Sequence, residues 1–157
     1  MNRRTLLSRL GISIAGAFLF GSAHAQTPSP SRKPDTDKPF AEHFLALQLS
    51  ESDPKRQRLV LSVASNILKF YGQDKVAIEV VAFGPGIALL FEESEFRSLI
   101  DSLVSQGVKF DVCGNTLDTV ERETGKRPKT NPNAKEVGTG VAQLMSLAES
   151  GYTLVRP

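Results

Sequence analysis

The sequence predicts a three-layer α/β/α protein, in which helices cover both faces of a mainly parallel sheet of about four or five strands. Strand-like and helix-like segments alternate from residue 40 onward, an order typical of such a sheet. The segment Val76–Phe83 is almost continuously apolar, as expected for a central parallel strand covered on both faces. The length of 157 residues favours a single domain.

The first predicted strand, Ala41–Leu49, leads into a helix with clear start and stop signals. Asp53 is the expected N-cap, and Pro54 takes the first helical position, where its missing N–H costs nothing. Apolar residues recur at helical spacing as far as Tyr71, and Gly72 follows.

The central strand ends at a Gly-Pro-Gly sequence, residues 84–86, which predicts a tight turn before a short helical turn. A helix follows from Ser94 and stops at Gly107. The third strand is predicted over Val108–Cys113, with Lys109, Asp111 and Cys113 on one face.

The last third of the sequence predicts two helices and a closing strand. Residues 116–124 form a short helix, and residues 125–132 form a basic loop. Asn133 and Glu136 have the spacing of a capping box, which predicts the start of the last helix. Gly151 ends that helix, and Tyr152–Val155 is the closing strand.

The first 25 residues have the pattern of a signal peptide. A basic start precedes an apolar run that is too short to span a bilayer, and Ala23-His24-Ala25 resembles a cleavage site. The Arg3-Arg4 pair favours twin-arginine export, and the Sec route is the alternative. We expect export to the periplasm, a proline-rich disordered linker over residues 26–39, and a domain over residues 40–157.

The charge of the exported protein argues against nucleic-acid binding. The chain has 19 basic and 17 acidic side chains, and three of the basic ones lie in the predicted signal peptide. Its removal leaves the two signs almost balanced, whereas phosphate-driven binding needs clustered Lys and Arg. The sequence therefore predicts no nucleic-acid partner and no stable membrane span.

Cys113 is the single cysteine, and it ends the third strand directly before a predicted helix. Sites in open α/β sheets gather at the carboxyl ends of the strands, and a helix N-terminus stabilises a thiolate. Cations of the basic loop, Lys126, Arg127 and Lys129, would add to this effect if the loop folds back. We expect a partly exposed thiol with a lowered pKa, or alternatively a buried cysteine that only packs.

Five neighbouring residues are the predicted binding positions around this thiol: Gly84, Gly86, Gly114, Asn115 and Thr116. A side chain at Gly114 would crowd a molecule approaching the sulfur. His43 lies near the start of the first strand, at the opposite end of the sheet, so a Cys–His pair is not expected. The sequence shows no metal-ligand spacing and predicts no cofactor.

Three segments resemble the DsrE/DsrF-like (YchN-like) family: Val80–Leu90, Gly107–Leu117 and Gly151–Pro157. The resemblance extends over nearly all of residues 40–157, and the signal peptide places the chain in an exported branch. It implies a three-layer fold and assembly into trimers or hexamers. In the sulfur-relay members a cysteine at the end of a central strand carries sulfur as a persulfide, and Cys113 matches that position.

Two functions are compatible with these residues. In the first, the chain is an exported sulfur carrier or sulfurtransferase, whose Cys113 exchanges sulfane sulfur with a small donor or acceptor or with a partner thiol protein. In the second, it is a non-catalytic, oligomeric module that binds a small ligand in the strand-end cleft, and Cys113 is structural.

Overall fold

The computed structural model describes residues 36–157. The predicted signal peptide and residues 26–35 of the predicted linker lie outside the described residues. Within that range the chain forms five strands, four α-helices and one 3-10 helix, in the order β1 (His43–Leu49), α1 (Pro54–Tyr71), β2 (Val76–Ala82), the 3-10 helix (Gly84–Leu90), α2 (Arg97–Ser105), β3 (Val108–Cys113), α3 (Gly114–Thr124), β4 (Ala134–Val137), α4 (Gly140–Glu149) and β5 (Thr153–Val155).

The five strands form one parallel sheet in the order β4-β3-β2-β1-β5. From β1 to β4 each connection steps in the same direction, and only the connection from β4 to β5 reverses. Because such crossovers are right-handed, α1, α2 and α3 lie on one face and α4 lies alone on the other. The predicted three-layer α/β/α class is confirmed.

The two faces of the sheet bury cores of different size. On the first face, side chains of α1, α2 and α3 such as Leu61, Ile100 and Leu117 join the apolar residues of β1, β2 and β3 in a large cluster. On the second face, Leu144 and Leu147 of α4 pack on a smaller cluster. The central position of β2 is also confirmed, since all seven of its residues are buried.

The predicted start of α1 is confirmed in detail. The Asp53 carboxylate accepts a hydrogen bond from the Lys55 N–H at 3.0 Å, and Pro54 is the first helical residue. Gly72 follows the helix with a φ of 89°, a conformation that favours glycine.

The prediction of a capping box at Asn133 and Glu136 is wrong. Asn133 directly precedes strand β4, and Glu136 lies within it. Asn131 is buried, and its side-chain oxygen accepts from the Asn133 N–H at 2.8 Å, which turns the chain into β4. Glu136 then pairs with Val112 of β3. Pairing with β3 decides the structure here, and α4 begins later, at Gly140 after the N-cap Thr139.

Residues 36–39, at the end of the predicted linker, contact the domain. The Lys38 ammonium donates to the carbonyl oxygens of Gln73, Val76 and Gln106, at 2.7, 3.1 and 2.9 Å. This side chain therefore joins the segments that lead into β2 and β3. No helix within residues 36–157 has the length and apolar character needed to cross a membrane.

Gly86 lets the 3-10 helix lie directly against the end of β1. A Cβ atom at this position would stand 2.4 Å from the Leu49 carbonyl oxygen, which belongs to the backbone and cannot rotate away. The tight turn predicted at this Gly-Pro-Gly sequence is confirmed as a place of close backbone approach.

We expect Gly86→Ala to lower the free energy of unfolding by about 1–3 kcal/mol, the usual cost of overpacking. Gly138→Ala is the matched control, because no atom lies within 4 Å of its added Cβ. Urea denaturation of both variants tests this prediction. Equal midpoints for the two would show that the 3-10 helix is free to shift away from β1.

Candidate functional site: a thiol between two helix N-termini

Cys113 lies where β3 ends and α3 begins. It is the N-cap residue of α3, which starts at Gly114, two residues earlier than predicted. This early start places the Cys113 side chain directly at the N-terminal end of the helix. The side chain is only 4% exposed, so the expectation of a partly exposed thiol is wrong.

The burial of Cys113 comes from the N-terminus of α4. A Cβ atom on Gly140 would stand 2.9 Å from the Phe83 Cβ and 3.3 Å from the Cys113 Cβ. The absence of a side chain at Gly140 therefore allows α4 to approach the thiol. The covering segment is thin, since Gly138 and Thr139 are themselves exposed.

The pKa of the Cys113 thiol is lowered, as predicted. Burial acts in the opposite direction and raises it, but hydrogen bonds to the sulfur outweigh burial. The groups that lower the pKa are the Thr116 hydroxyl and the backbone N–H groups of Gly140, Thr116 and Asn115. The Asn115 N–H also donates to the Gly138 carbonyl oxygen at 3.1 Å. The first turns of α3 and α4 thus meet at one sulfur atom, and N–H groups at helix N-termini favour a negative charge.

The predicted loop cations are not the cause of this shift, because the lowering comes from hydrogen bonds. Arg127 is held by carboxylates, with its guanidinium bound to Asp118, Glu121 and Glu136. Its charge is therefore balanced within the α3–β4 region.

Three of the predicted binding residues join Cys113 in one hydrogen-bonded unit. The Gly84 N–H donates to the Thr116 hydroxyl oxygen at 3.1 Å, and this hydroxyl donates to the sulfur. The Asn115 side chain donates to the Thr139 hydroxyl at 2.9 Å and so connects α3 to the N-cap of α4.

The other two predicted residues have structural roles. Gly86 packs on β1, as described above. A Cβ on Gly114 would stand 2.9 Å from a Glu136 carboxylate oxygen and 3.2 Å from the Val137 carbonyl oxygen. Gly114 therefore gives β4 room to pack against α3, and its expected role in keeping the approach to the sulfur open stays a prediction.

Sequence reasoning missed Thr139 and Gly140. The Gly-Thr-Gly sequence at residues 138–140 could have indicated the start of α4. The wrongly predicted capping box at Asn133 and Glu136 placed that start too early. His43 lies as predicted at the far end of the sheet, where it begins β1 and stacks on Tyr71 with ring centroids 3.9 Å apart.

A second polar group lies on the same face of β3 as the thiol. Asp111 is 1% exposed, and Glu79 of β2 is 7% exposed. Burial, together with a hydrogen bond and charge repulsion from Glu79, raises the pKa of Asp111 to about 8. Gln143 of α4 donates to the Glu79 carboxylate at 2.6 Å.

Within residues 36–157 no group of three His, Cys, Asp or Glu side chains is placed to hold a metal ion. The fold and the site thus define a parallel α/β protein with a buried, hydrogen-bonded thiol at the carboxyl edge of its sheet.

The comparisons with known proteins support the fold. The chain is similar to the solved structure of MTH1491, a protein of unknown function from Methanobacterium thermoautotrophicum, with 27% sequence identity and a TM-score of 0.67. The similarity covers 74% of this chain and 100% of the other. The sequence matches no protein-family model, and no curated protein sequence matches it. The DsrE/DsrF-like resemblance remains a prediction.

We expect Thr116→Val to raise the pKa of the Cys113 thiol, because it removes the hydroxyl that donates to the sulfur. The thiolate absorbance of the native protein against pH measures this shift. Thr119→Val is the matched control on the same helix, since its hydroxyl donates to the Asn115 carbonyl instead. If both variants titrate like the parent protein, the Thr116 hydroxyl does not stabilise the thiolate.

The raised pKa of Asp111 predicts how stability depends on pH. In the unfolded chain this carboxyl titrates near its ordinary pKa of about 4, and in the folded protein near about 8. Between these values the folded protein keeps a proton that the unfolded chain releases. Asp111 therefore lowers the free energy of unfolding as pH rises, by at most about 1.4 kcal/mol per pH unit.

Asp111→Asn removes this titration and should flatten the dependence, whereas Glu123→Gln on the surface of α3 should not. Urea denaturation from acid to neutral pH measures the slopes. The assignment is wrong if the Asp111→Asn variant keeps the slope of the parent protein.

Proposed function

We propose that the chain is an exported sulfur-handling protein in which Cys113 accepts sulfane sulfur and passes it on as a persulfide. The observation that carries this proposal is the position of Cys113 at the N-terminus of α3 and against Gly140 at the N-terminus of α4, where hydrogen bonding lowers the pKa of the thiol. A cysteine that serves only for packing is a small hydrophobe and needs no such donors. A nucleophilic cysteine needs the thiolate, which these donors favour.

The transfer is balanced without an added oxidant. The Cys113 thiolate attacks the outer sulfur of a polysulfide or of thiosulfate, so that a new S–S bond forms and the donor's S–S bond breaks. The electron pair of that bond leaves with the remaining polysulfide or with sulfite. An acceptor thiolate then attacks the outer sulfur of the Cys113 persulfide and regenerates the Cys113 thiolate.

The same donors suit the persulfide, because it is also an anion at neutral pH. Access to the sulfur requires the segment over it, residues 138–140, to move aside. That segment is short and exposed at Gly138 and Thr139. Two hydrogen bonds from Asn115 connect it to α3, one from the backbone N–H to the Gly138 carbonyl and one from the side chain to Thr139. The donors of α3 stay with the sulfur when α4 withdraws.

We also propose that the protein acts in the periplasm as a homo-oligomer, a trimer or hexamer. Exposed apolar side chains on α4 and β5 support this assembly, namely Val141, Met145, Leu154 and Val155. Apolar surface of this kind is typical of protein–protein contacts.

We expect incubation of the folded protein with polysulfide or thiosulfate to add one sulfur atom to Cys113, as seen by intact-mass and peptide mass spectrometry. Cys113→Ser should remain folded, because its hydroxyl can accept hydrogen bonds from the same N–H groups, and it should gain no sulfur. Loading should rise with pH in step with the thiolate absorbance.

A chain that takes up sulfur only after denaturant is added would exclude the carrier function. In that case the alternative of a ligand-binding module with a structural cysteine would replace it. A parallel sample treated with denaturant is the control, because it shows whether the thiol can react with the sulfur donor at all.

A further inference from the structure

A cavity of about 880 Å³ lies on the face of the sheet that α4 only partly covers. It is bounded by β2, β3, β4, α4 and residues 36–38, and Glu79, Asp111, Lys135 and Gln143 contribute to its walls. Cys113 is not among its lining residues. The cavity is therefore separate from the thiol site and from the proposed sulfur transfer.

Asp111 contributes a buried carboxyl group to the wall of this cavity. The side chain is 1% exposed, and its Oδ2 atom has no hydrogen-bond partner among residues 36–157. Buried polar atoms are rarely left without partners, since burial without a hydrogen bond costs free energy. The Asp111 carboxyl group therefore retains acceptor capacity for a hydrogen-bond donor bound in the cavity.

Glu79 gives the cavity a second carboxylate beside the first. Its Oε1 atom accepts from Gln143, and the hydrogen bond and charge interaction between Glu79 and Asp111 show that the two carboxyls are adjacent. A primary ammonium group has three donors and no acceptor, so it can satisfy both carboxylates at once.

The three lysines of the cavity are not equivalent. The Lys38 ammonium donates to three backbone carbonyl oxygens. Lys109 forms an ion pair with Asp37 at 2.8 Å. Lys135 pairs in register with Asp111 across β3 and β4 and lines the same cavity, but within the described part of the chain its ammonium forms no ion pair or hydrogen bond. Lys135 thus places a cation without a close ion-pair partner next to the carboxyl pair, where its charge acts to lower the pKa of Asp111.

We infer that this cavity binds a small zwitterion, whose primary ammonium group lies on the Glu79 and Asp111 carboxylates and whose acidic group lies on Lys135. The carboxyl pair selects the ammonium, and Lys135 distinguishes an amino acid or amino sulfonate from a simple amine. Binding at this cavity does not depend on Cys113.

The binding is coupled to a proton. Asp111 must ionise to accept the ammonium, so below a pH of about 8 each binding event releases a proton and affinity rises with pH. The charged and titratable groups that share the cavity with Asp111 come from every surrounding element and are Asp37, Lys38, Glu79, Lys109, Lys135 and Tyr152. Burial and the nearby carboxylates raise the pKa of Tyr152 to about 12, so this phenol stays neutral over the range concerned.

Isothermal titration calorimetry with ω-amino carboxylates from glycine to 6-aminohexanoate tests the proposal, with n-butylamine and butyrate as single-group probes. We expect one chain length to bind at least about tenfold more tightly than either single-group probe. Repeating the titration in buffers of different ionisation enthalpy should show proton release at neutral pH.

Variants separate the two ends of the ligand. Asp111→Asn imitates the protonated side chain and should weaken the zwitterion and n-butylamine alike, by about tenfold or more. Lys135→Ala should abolish the preference of the protein for the zwitterion over n-butylamine, because the acidic group of the ligand then has no cation to bind. Lys126→Ala on the exposed loop after α3 is the matched control.

The proposal is overturned if the folded protein binds no member of the series, or if Asp111→Asn binds them as the parent protein does. It is also overturned if a second copy of the chain fills the cavity. In that case the parent protein would bind no ligand of the series, and the Asp111→Asn variant would change its oligomeric state. Cys113→Ser should bind like the parent protein, so this test and the sulfur-loading test can fail independently.

Discussion

One reversal in the order of the strands determines where the chemistry of this protein lies. Because the chain steps from β1 to β4 in one direction and only then crosses back to β5, a single helix covers the second face. Three helices bury the first face in an aliphatic core. On the second face α4 reaches the thiol with its N-terminus and the Glu79 carboxylate with Gln143, and the β3–β4 side retains polar residues around a cavity.

Two residues of β3 on that face are buried alike, but their pKa values shift in opposite directions. Cys113 and Asp111 are two positions apart, and both are almost fully buried. Burial raises the pKa of either group. At Cys113 the N–H groups of two helices reverse the effect, whereas at Asp111 the neighbouring carboxylate of Glu79 adds to it. The thiol is therefore prepared to ionise, and the carboxyl is kept protonated near neutral pH.

The features that could be predicted from the sequence are those that depend on a local pattern of residues. The apolar run of β2, the Asp53-Pro54 start of α1 and the position of Cys113 at the end of β3 are all local signals, and the structure confirms them. β4 was missed because Ala-Lys-Glu-Val has no apolar alternation, and only its pairing with β3 makes it a strand. Tertiary pairing overrides local preference at such edge strands.

The candidate site was only half predictable for the same reason. Asn115 and Thr116 follow Cys113 in the sequence, so a helix start at the thiol could be expected. Gly140 reaches the sulfur only because the chain returns after β4, and nothing local indicates that its N–H would join the others. Glu79 was a visible anomaly, a charged residue within an apolar strand, but its partner Asp111 could be recognised only once β2 and β3 were aligned.

Under the proposed function, the way the thiol is covered has a consequence for its reactivity. Two donors at the sulfur belong to Thr116 and one to Asn115, all in α3, while α4 supplies only the Gly140 N–H. Withdrawal of the α4 N-terminus therefore exposes the sulfur without removing most of the groups that stabilise its charge. Water then replaces one donor, and the thiolate remains favoured in the open form. A buried cysteine can in this way be shielded from oxidation between transfers and still be nucleophilic when a sulfur donor reaches it.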